Sequence, residues 1–228
     1  MFENLINVLF PKVCSGCSNH LLSNENVICT ICRHEIPLTN HHLNPENEAI
    51  KKFYGKIPVE FASTLVYFHK KGIVQEMIHN LKYRGHEEIG AVLGEWQAEN
   101  LKKLPITNSF DEIIPVPLHK TKVRERGYNQ SEYIVKGLSG ILNIPFLFDV
   151  INRKLYTKSQ TKLTLLERQK NILGAFAFNN SYNEKLKDKN IILLDDVVTT
   201  GATVNECIKV LREAGVNKVF TVSLAMAE

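Results

Sequence analysis

No apolar run in this chain is long enough to cross a bilayer, so no membrane-spanning helix is expected. The opening Met1-Phe-Glu-Asn-Leu-Ile-Asn-Val-Leu-Phe10 lacks the basic start of a secretory signal and is too short for one. It reads instead as an amphipathic turn or two that buries Phe2, Leu5, Ile6 and Leu9, and the cytoplasm is the expected location. An excess of charge of one sign is also lacking. The net +4 is too mild to require or exclude nucleic acid by itself. Tryptophan occurs once, and Trp96 continues a helical stripe with Ile89, Val92 and Leu93, which assigns it to a core. What remains is ordinary for a globular protein: 44% hydrophobic and 23% charged residues. The 228 residues suffice for one α/β core and a small appendage.

Cysteine is sparse and unevenly placed. Four of the five lie in Cys14-Ser-Gly-Cys17 and Cys29-Thr-Ile-Cys32, two CxxC pairs with eleven residues between them. Each short turn aims two thiolates at one point, and two such turns complete a tetrahedral zinc site. With four protein ligands no coordination position stays open, so the metal's role would be structural. Free thiols and disulfides are the alternatives, the latter disfavoured in a reducing compartment. His20 and His34 are not needed as ligands, and Cys207 reads as a small buried hydrophobe. After Cys32 the chain turns polar through Thr39–Glu48, the expected linker. This divides the chain into a zinc module, residues 1–45, and a main domain, residues 46–228. His41-His42 in that stretch is expected to be a solvated pair.

The strongest functional signal is Asn190-Ile-Ile-Leu-Leu-Asp-Asp-Val-Val-Thr-Thr-Gly-Ala-Thr-Val-Asn205. Ile191 to Leu194 predict a buried parallel strand ending at Asp195 and Asp196. A turn then leads into a helix with Val204, Cys207, Ile208 and Leu211 on one face and Gly215 at its end. Such a turn points free N–H groups and the positive end of the helix dipole at one spot, which suits a phosphate. Thr199, Thr200 and Thr203 can add hydroxyls, and Gly201 permits close approach. Carboxylates do not hold a phosphate. They suit the hydroxyls of an attached sugar, directly or through hydrated magnesium. A ribose 5-phosphate matches both halves. A bland alternative also exists, an acidic strand end before a capped helix, with Thr203-x-x-Glu206 as a capping box.

Upstream, Ala62–Phe68 reads as a strand, followed by helices carrying Ile73, Met77, Ile78 and Leu81, then Ile89 to Trp96. Between them Lys82 and Arg84 form a basic turn, equally open to a pyrophosphate or nucleic-acid contact and to plain solvation. Asp111–Pro117 predicts another strand. The loop after it, His119–Gln130, carries Lys120, Lys122, Arg124 and Arg126 against one anion. Strand-to-helix loops are where α/β sheets bind ligands, and the arginines match phosphoryl oxygens. Pro145–Val150 and Ala175–Phe178 read as further strands, Val219–Leu224 as the one that closes the sheet, and Arg153–Asn171 as a mobile closing segment.

Leu-Leu-Asp-Asp-Val-Val-Thr-Thr-Gly-Ala-Thr resembles the phosphoribosyl pyrophosphate (PRPP) loop of type I phosphoribosyltransferases. The paired CxxC turns, Lys-Tyr-Arg-Gly, Pro-Val-Pro-Leu-His, Arg-Glu-Arg-Gly-Tyr-Asn-Gln, Gln160-Thr161 and Glu167-Arg168 precede it in one order, and the set is similar to the ComF (ComFC) family. The resemblance implies an α/β, type I phosphoribosyltransferase-like fold, a mainly parallel sheet with flanking helices and a core from about residue 111, behind a zinc ribbon. It implies PRPP and magnesium binding and a role in handling single-stranded DNA with competence or recombination proteins. An active phosphoribosyltransferase with an unidentified acceptor is the alternative. On that pattern Asp195 and Asp196 take the ribose and magnesium, and Val197, Val198, Thr199, Thr200, Gly201, Ala202 and Thr203 form the phosphate loop. Arg124 and Arg126 take pyrophosphate, and Lys82, Gln160, Thr161 and Arg168 complete the pocket. Members that act on 6-oxopurines carry an aspartate base where this chain has Thr199, which disfavours that substrate class.

Overall fold

A computed structural model describes residues 11–154 and 172–227. The expected turns around Phe2–Leu9, and Gln160, Thr161 and Arg168 of the closing segment, lie outside the described residues. In chain order the regular elements are α1 (Thr30–Glu35), α2 (Glu48–Lys51), β1 (Phe61–Phe68), α3 (Ile73–Tyr83) and α4 (Glu88–Lys102). Then come β2 (Glu112–Pro115), α5 (Lys120–Arg126), α6 (Gln130–Leu142), β3 (Ile151–Arg153) and β4 (Phe176–Phe178). The chain ends through α7 (Asn183–Leu186), β5 (Asn190–Val198), α8 (Ala202–Glu213) and β6 (Lys218–Ala227).

The main sheet has the order β1-β6-β5-β2 with every pairing parallel. Its strands are apolar because both faces are covered. On one face lie α3, α4 and α6, whose Met77, Leu81, Leu93, Ile134 and Leu138 meet Ile192, Leu194 and Phe220 of the sheet. On the other lies α8, where Val204, Cys207, Ile208 and Leu211 are buried against Ile191 and Leu193.

The structure corrects the sequence reading at several points. β6 does not close the sheet: it pairs on both sides, with β5 and with β1, and β1 and β2 are the edge strands. Hydrophobicity cannot tell a central strand from a neighbouring one when both are buried. Pro145–Val150 contributes one parallel bridge, Phe146 to Ile113. Ala175–Phe178 supplies β4, which pairs antiparallel with β3 outside the main sheet. The basic loop after β2 is partly the short helix α5, because His119 Nδ1 accepts from the Thr121 amide at 3.2 Å as its cap.

His41 is not the solvated residue expected within the polar stretch 39–48. His41 is 2% exposed, its Nδ1 meeting Thr64 Oγ1 at 3.0 Å and its Nε2 meeting Glu48 at 3.1 Å. Asn47 is buried too, donating to the Ala62 carbonyl at 2.9 Å and capping α2. Polar residues can be buried wherever each polar atom finds a partner, a condition that composition does not reveal. Trp96 is only partly buried, with the Arg33 guanidinium 5.0 Å above its ring. That contact, the Asn80 amide donating to the Ser15 carbonyl at 2.8 Å, and burial of Ile28 and Ile36 in the same cluster as Val66 and Val74 seat the cysteine segment on α3 and α4.

Candidate functional site

β5 runs through both aspartates to Val198, longer than expected, because its ladder with β6 continues to the pair Val198–Met226. Within a strand, consecutive side chains point to opposite faces. Asp196 therefore meets α3 and α6: its Oδ2 accepts from Lys82 Nζ at 2.8 Å and from Gln130 Nε2 at 2.7 Å. It is 8% exposed. Burial acts to raise its pKa, but the Lys82 ammonium and the two hydrogen bonds outweigh it and hold the carboxyl below its ordinary range. Asp195 has Arg153 of β3 and Cys207 of α8 as its electrostatic neighbours on the other face. Burial first, and the charge of Asp196 second, push its pKa up to about 7.

A bonded chain leads outward from Asp196. Arg126 donates to Gln130 Oε1 at 2.7 Å, and the same guanidinium lies 5.1 Å from the centre of the exposed Tyr83 ring. The Tyr128 hydroxyl donates to the Leu81 carbonyl, which fixes the end of α3 where Lys82 emerges. Lys122 belongs to the same cluster: burial, then Arg153, Arg126 and Lys82, lower its pKa. Four cations, Lys82, Lys122, Arg126 and Arg153, thus surround two carboxylates.

The turn after β5 has its expected form. Gly201 is the N-cap of α8 with φ of 76°, a conformation that costs a glycine little. A Cβ there would lie 3.2 Å from the Phe53 ring. The cap has no side chain to satisfy the leading amides; Thr200 Oγ1 accepts from the Ala202 amide at 3.4 Å. Thr203 lies inside α8 and Gly201 is its N-cap, so the Thr203–Glu206 capping box does not form, and Glu206 bonds Lys209 at 2.5 Å instead. Thr199, Thr200 and Thr203 are partly exposed, whereas Val197 and Val198 are apolar and paired in the ladder. The structure brings Lys82, Arg126, Asp195 and Asp196 together. Arg124 is exposed on α5 and bonds neither aspartate. Sequence pattern alone does not mark Gln130 or Arg153 as site residues, and it presents Lys122 only as part of a charge run. Their roles arise mainly from contacts distant in sequence, of which Gln130 with Asp196, 66 apart, is the plainest.

At the other end of the chain, one sulfur from each of Cys14, Cys17, Cys29 and Cys32 lies within 4.8 Å of every other. The Cys17 and Cys29 sulfurs are 3.7 Å apart, close to the ~3.8 Å edge of a tetrahedron with zinc–sulfur bonds of about 2.3 Å. Amides of Gly16 and Cys29 point at Cys14 Sγ from 3.4 and 3.3 Å. Burial acts to raise the Cys14 pKa, but the Cys29, Cys17 and Gly16 amides, with the Cys29 thiol, bring it to about 7. The cluster can hold a metal ion, and an all-sulfur tetrahedral set is compatible with zinc.

A parallel sheet, a strand carrying paired aspartates near its end and a glycine-capped helix define a phosphoribosyltransferase-type α/β domain. The family described as "Phosphoribosyl transferase domain" matches residues 129–227. Competence protein F of Haemophilus influenzae is 28% identical over 222 residues, covering 94% of this chain and 96% of that protein. Competence protein ComFC of Bacillus subtilis is 27% identical over 205 residues, covering 90% of this chain and 79% of that protein. DNA utilization protein YhgH of Escherichia coli K12 is 26% identical over 206 residues, covering 89% and 85%. Similarity to these competence and DNA utilization proteins over most of the chain, together with the phosphoribosyl transferase match, supports the resemblance to the ComF family.

Proposed function

We propose that this protein binds PRPP at the end of β5 and uses that site in competence or DNA utilisation, assisting the handling of single-stranded DNA. The observation that carries the reading is one corner of the fold. Two aspartates with four cations around them, on a strand whose turn leads into the N-terminus of α8, suit one sugar phosphate. The amides and the Thr199–Thr203 turn suit the 5-phosphate, the aspartates the ribose hydroxyls, and Arg126 with its neighbouring cations the pyrophosphate. Gln160, Thr161 and Arg168 join from the closing segment in this reading. Arg124 serves less directly. Magnesium enters with the pyrophosphate, which supplies it with oxygens, and zinc holds the cysteine module of residues 1–45 against residues 46–228. The names of the relatives, competence and DNA utilization proteins, support the biological half. Single-stranded DNA and competence or recombination proteins are the partners.

The second reading, transfer of the phosphoribosyl group to an acceptor, draws on the intact loop. It lacks an aspartate base at Thr199. Calorimetry with PRPP, with and without magnesium, tests the first reading: wild type should bind and Asp195→Asn should not. An absence of heat with wild type at any magnesium concentration overturns it. Pyrophosphate release on adding an acceptor would establish the second.

A further inference from the structure

The pocket around the aspartates carries a charge balance that a metal-binding acidic pair does not. Lys82, Lys122, Arg126 and Arg153 against Asp195 and Asp196 leave it at +2 with both carboxylates ionised. Asp196, the better ionised of the two, is already saturated on one oxygen. Its Oδ2 receives Lys82 at 2.8 Å and Gln130 at 2.7 Å. Gln130 is itself tied to Arg126 at 2.7 Å, so the amide is locked in its donating orientation. The lysine side chain is 17% exposed and the aspartate 11%, which keeps water from screening the pair. A divalent ion approaching this oxygen meets an ammonium in its coordination position and two further cations behind it. A polyanion meets the opposite field.

We propose that Lys82 is the resident cation of the aspartate pair. It occupies the place at Asp196 that a divalent ion would take, so the free protein has no metal site there. It exchanges Asp196 for the anionic arm of the ligand when the pocket fills. The exchange is sterically short. Lysine offers a point charge on a flexible stem, and Tyr128 holds the stem's base by bonding the Leu81 carbonyl. Once a ligand's phosphoryl oxygens take the ammonium, Asp196 is released to a ribose hydroxyl. Lys82 therefore couples recognition of the anionic arm to recognition of the sugar. This second half rests on the phosphoribosyl reading; the first does not.

The two halves separate experimentally. For the first, zinc-loaded protein is titrated with Mn²⁺ alone and followed by electron paramagnetic resonance. Wild type and the charge-conserving Lys82→Arg should show no Mn²⁺ site at the aspartates. Lys82→Met and the milder Lys82→Gln should gain one, about tenfold or more tighter, as expected when a charge some 3 Å away is removed. The gain should vanish when Asp196→Asn is added. Wild type binding Mn²⁺ as tightly as either neutral variant, or no gain in both folded variants, overturns the resident-cation claim. For the second half, PRPP affinity at fixed magnesium should fall in Lys82→Gln; equal affinity overturns the exchange. If PRPP fails to bind wild type, the phosphoribosyl reading falls, while the Mn²⁺ titration still decides the first half.

Discussion

Placing a methyl group on Gly137 probes the contact that aligns the site. Helices α4 and α6 approach backbone to backbone: a Cβ on Gly137 would lie 2.2 Å from the Ala91 carbonyl oxygen, and one on Gly94 would lie 2.4 Å from that of Ile134. Both obstacles are main chain, so no rotamer change relieves them. An ordinary carbon–oxygen contact requires the helices to part by about 1 Å, forfeiting much of their dispersion contact. Overpacking of this kind costs about 1–3 kcal/mol. Alanine's better helix propensity returns about 1 kcal/mol. The clash cannot relax into a flexible side chain, so the upper end applies and Gly137→Ala should lose about 2 kcal/mol net. Gly140 lies one turn along the same helix and is exposed, and a Cβ there meets nothing within 4 Å. Gly140→Ala should therefore gain about 0.5–1 kcal/mol. Urea unfolding of the zinc-loaded proteins at one pH reads the difference of about 3 kcal/mol between the two alanines. PRPP affinity should also fall in Gly137→Ala alone, because α6 begins with Gln130, which holds Asp196. Equal midpoints for the two variants would show that the helices do not touch as described.

Asp195→Asn should separate stability from binding. Burial raises the folded pKa of Asp195 to about 7, so the folded state keeps a proton that the unfolded chain gives up near pH 4. This contribution is whole below about pH 4 and is lost as pH rises through about 7. The asparagine variant's advantage in melting temperature over wild type should be small at pH 5 and larger at pH 8, while it loses PRPP; thermal melts without ligand at the two pH values check the sign. Zinc should be present at one atom per chain by metal analysis. Its removal by a chelator, or Cys29→Ser, should lower the melting temperature by more than about 5 °C, because the segment's few apolar residues are held on α3 by the cluster. An unchanged melt after confirmed metal loss would refute the structural role.

Much of the fold was legible. The run Ile191–Leu194 is apolar and Val219–Leu224 mostly so because parallel strands are covered on both faces, and the stripe Val204, Cys207, Ile208, Leu211 does pack inward as its spacing requires. Strand order was not, since the pattern that buries β6 is the same at the centre of a sheet as at its edge. His41 shows a second limit. A histidine among asparagines reads as solvated, and only Thr64 and Glu48, brought to its two ring nitrogens, make burial affordable.

The same distinction runs through the site. Chain-local chemistry, a glycine at φ of 76° before a helix and two CxxC turns, can be read from neighbouring letters because backbone geometry makes it. Which charge meets which carboxylate depends on how α3, α5, α6 and β3 pack around β5. Lys82 stands 114 positions from Asp196 in sequence and 2.8 Å from it in space. Electrostatic energy follows the second distance, so the sequence named the ingredients and tertiary packing decided the charge of the pocket.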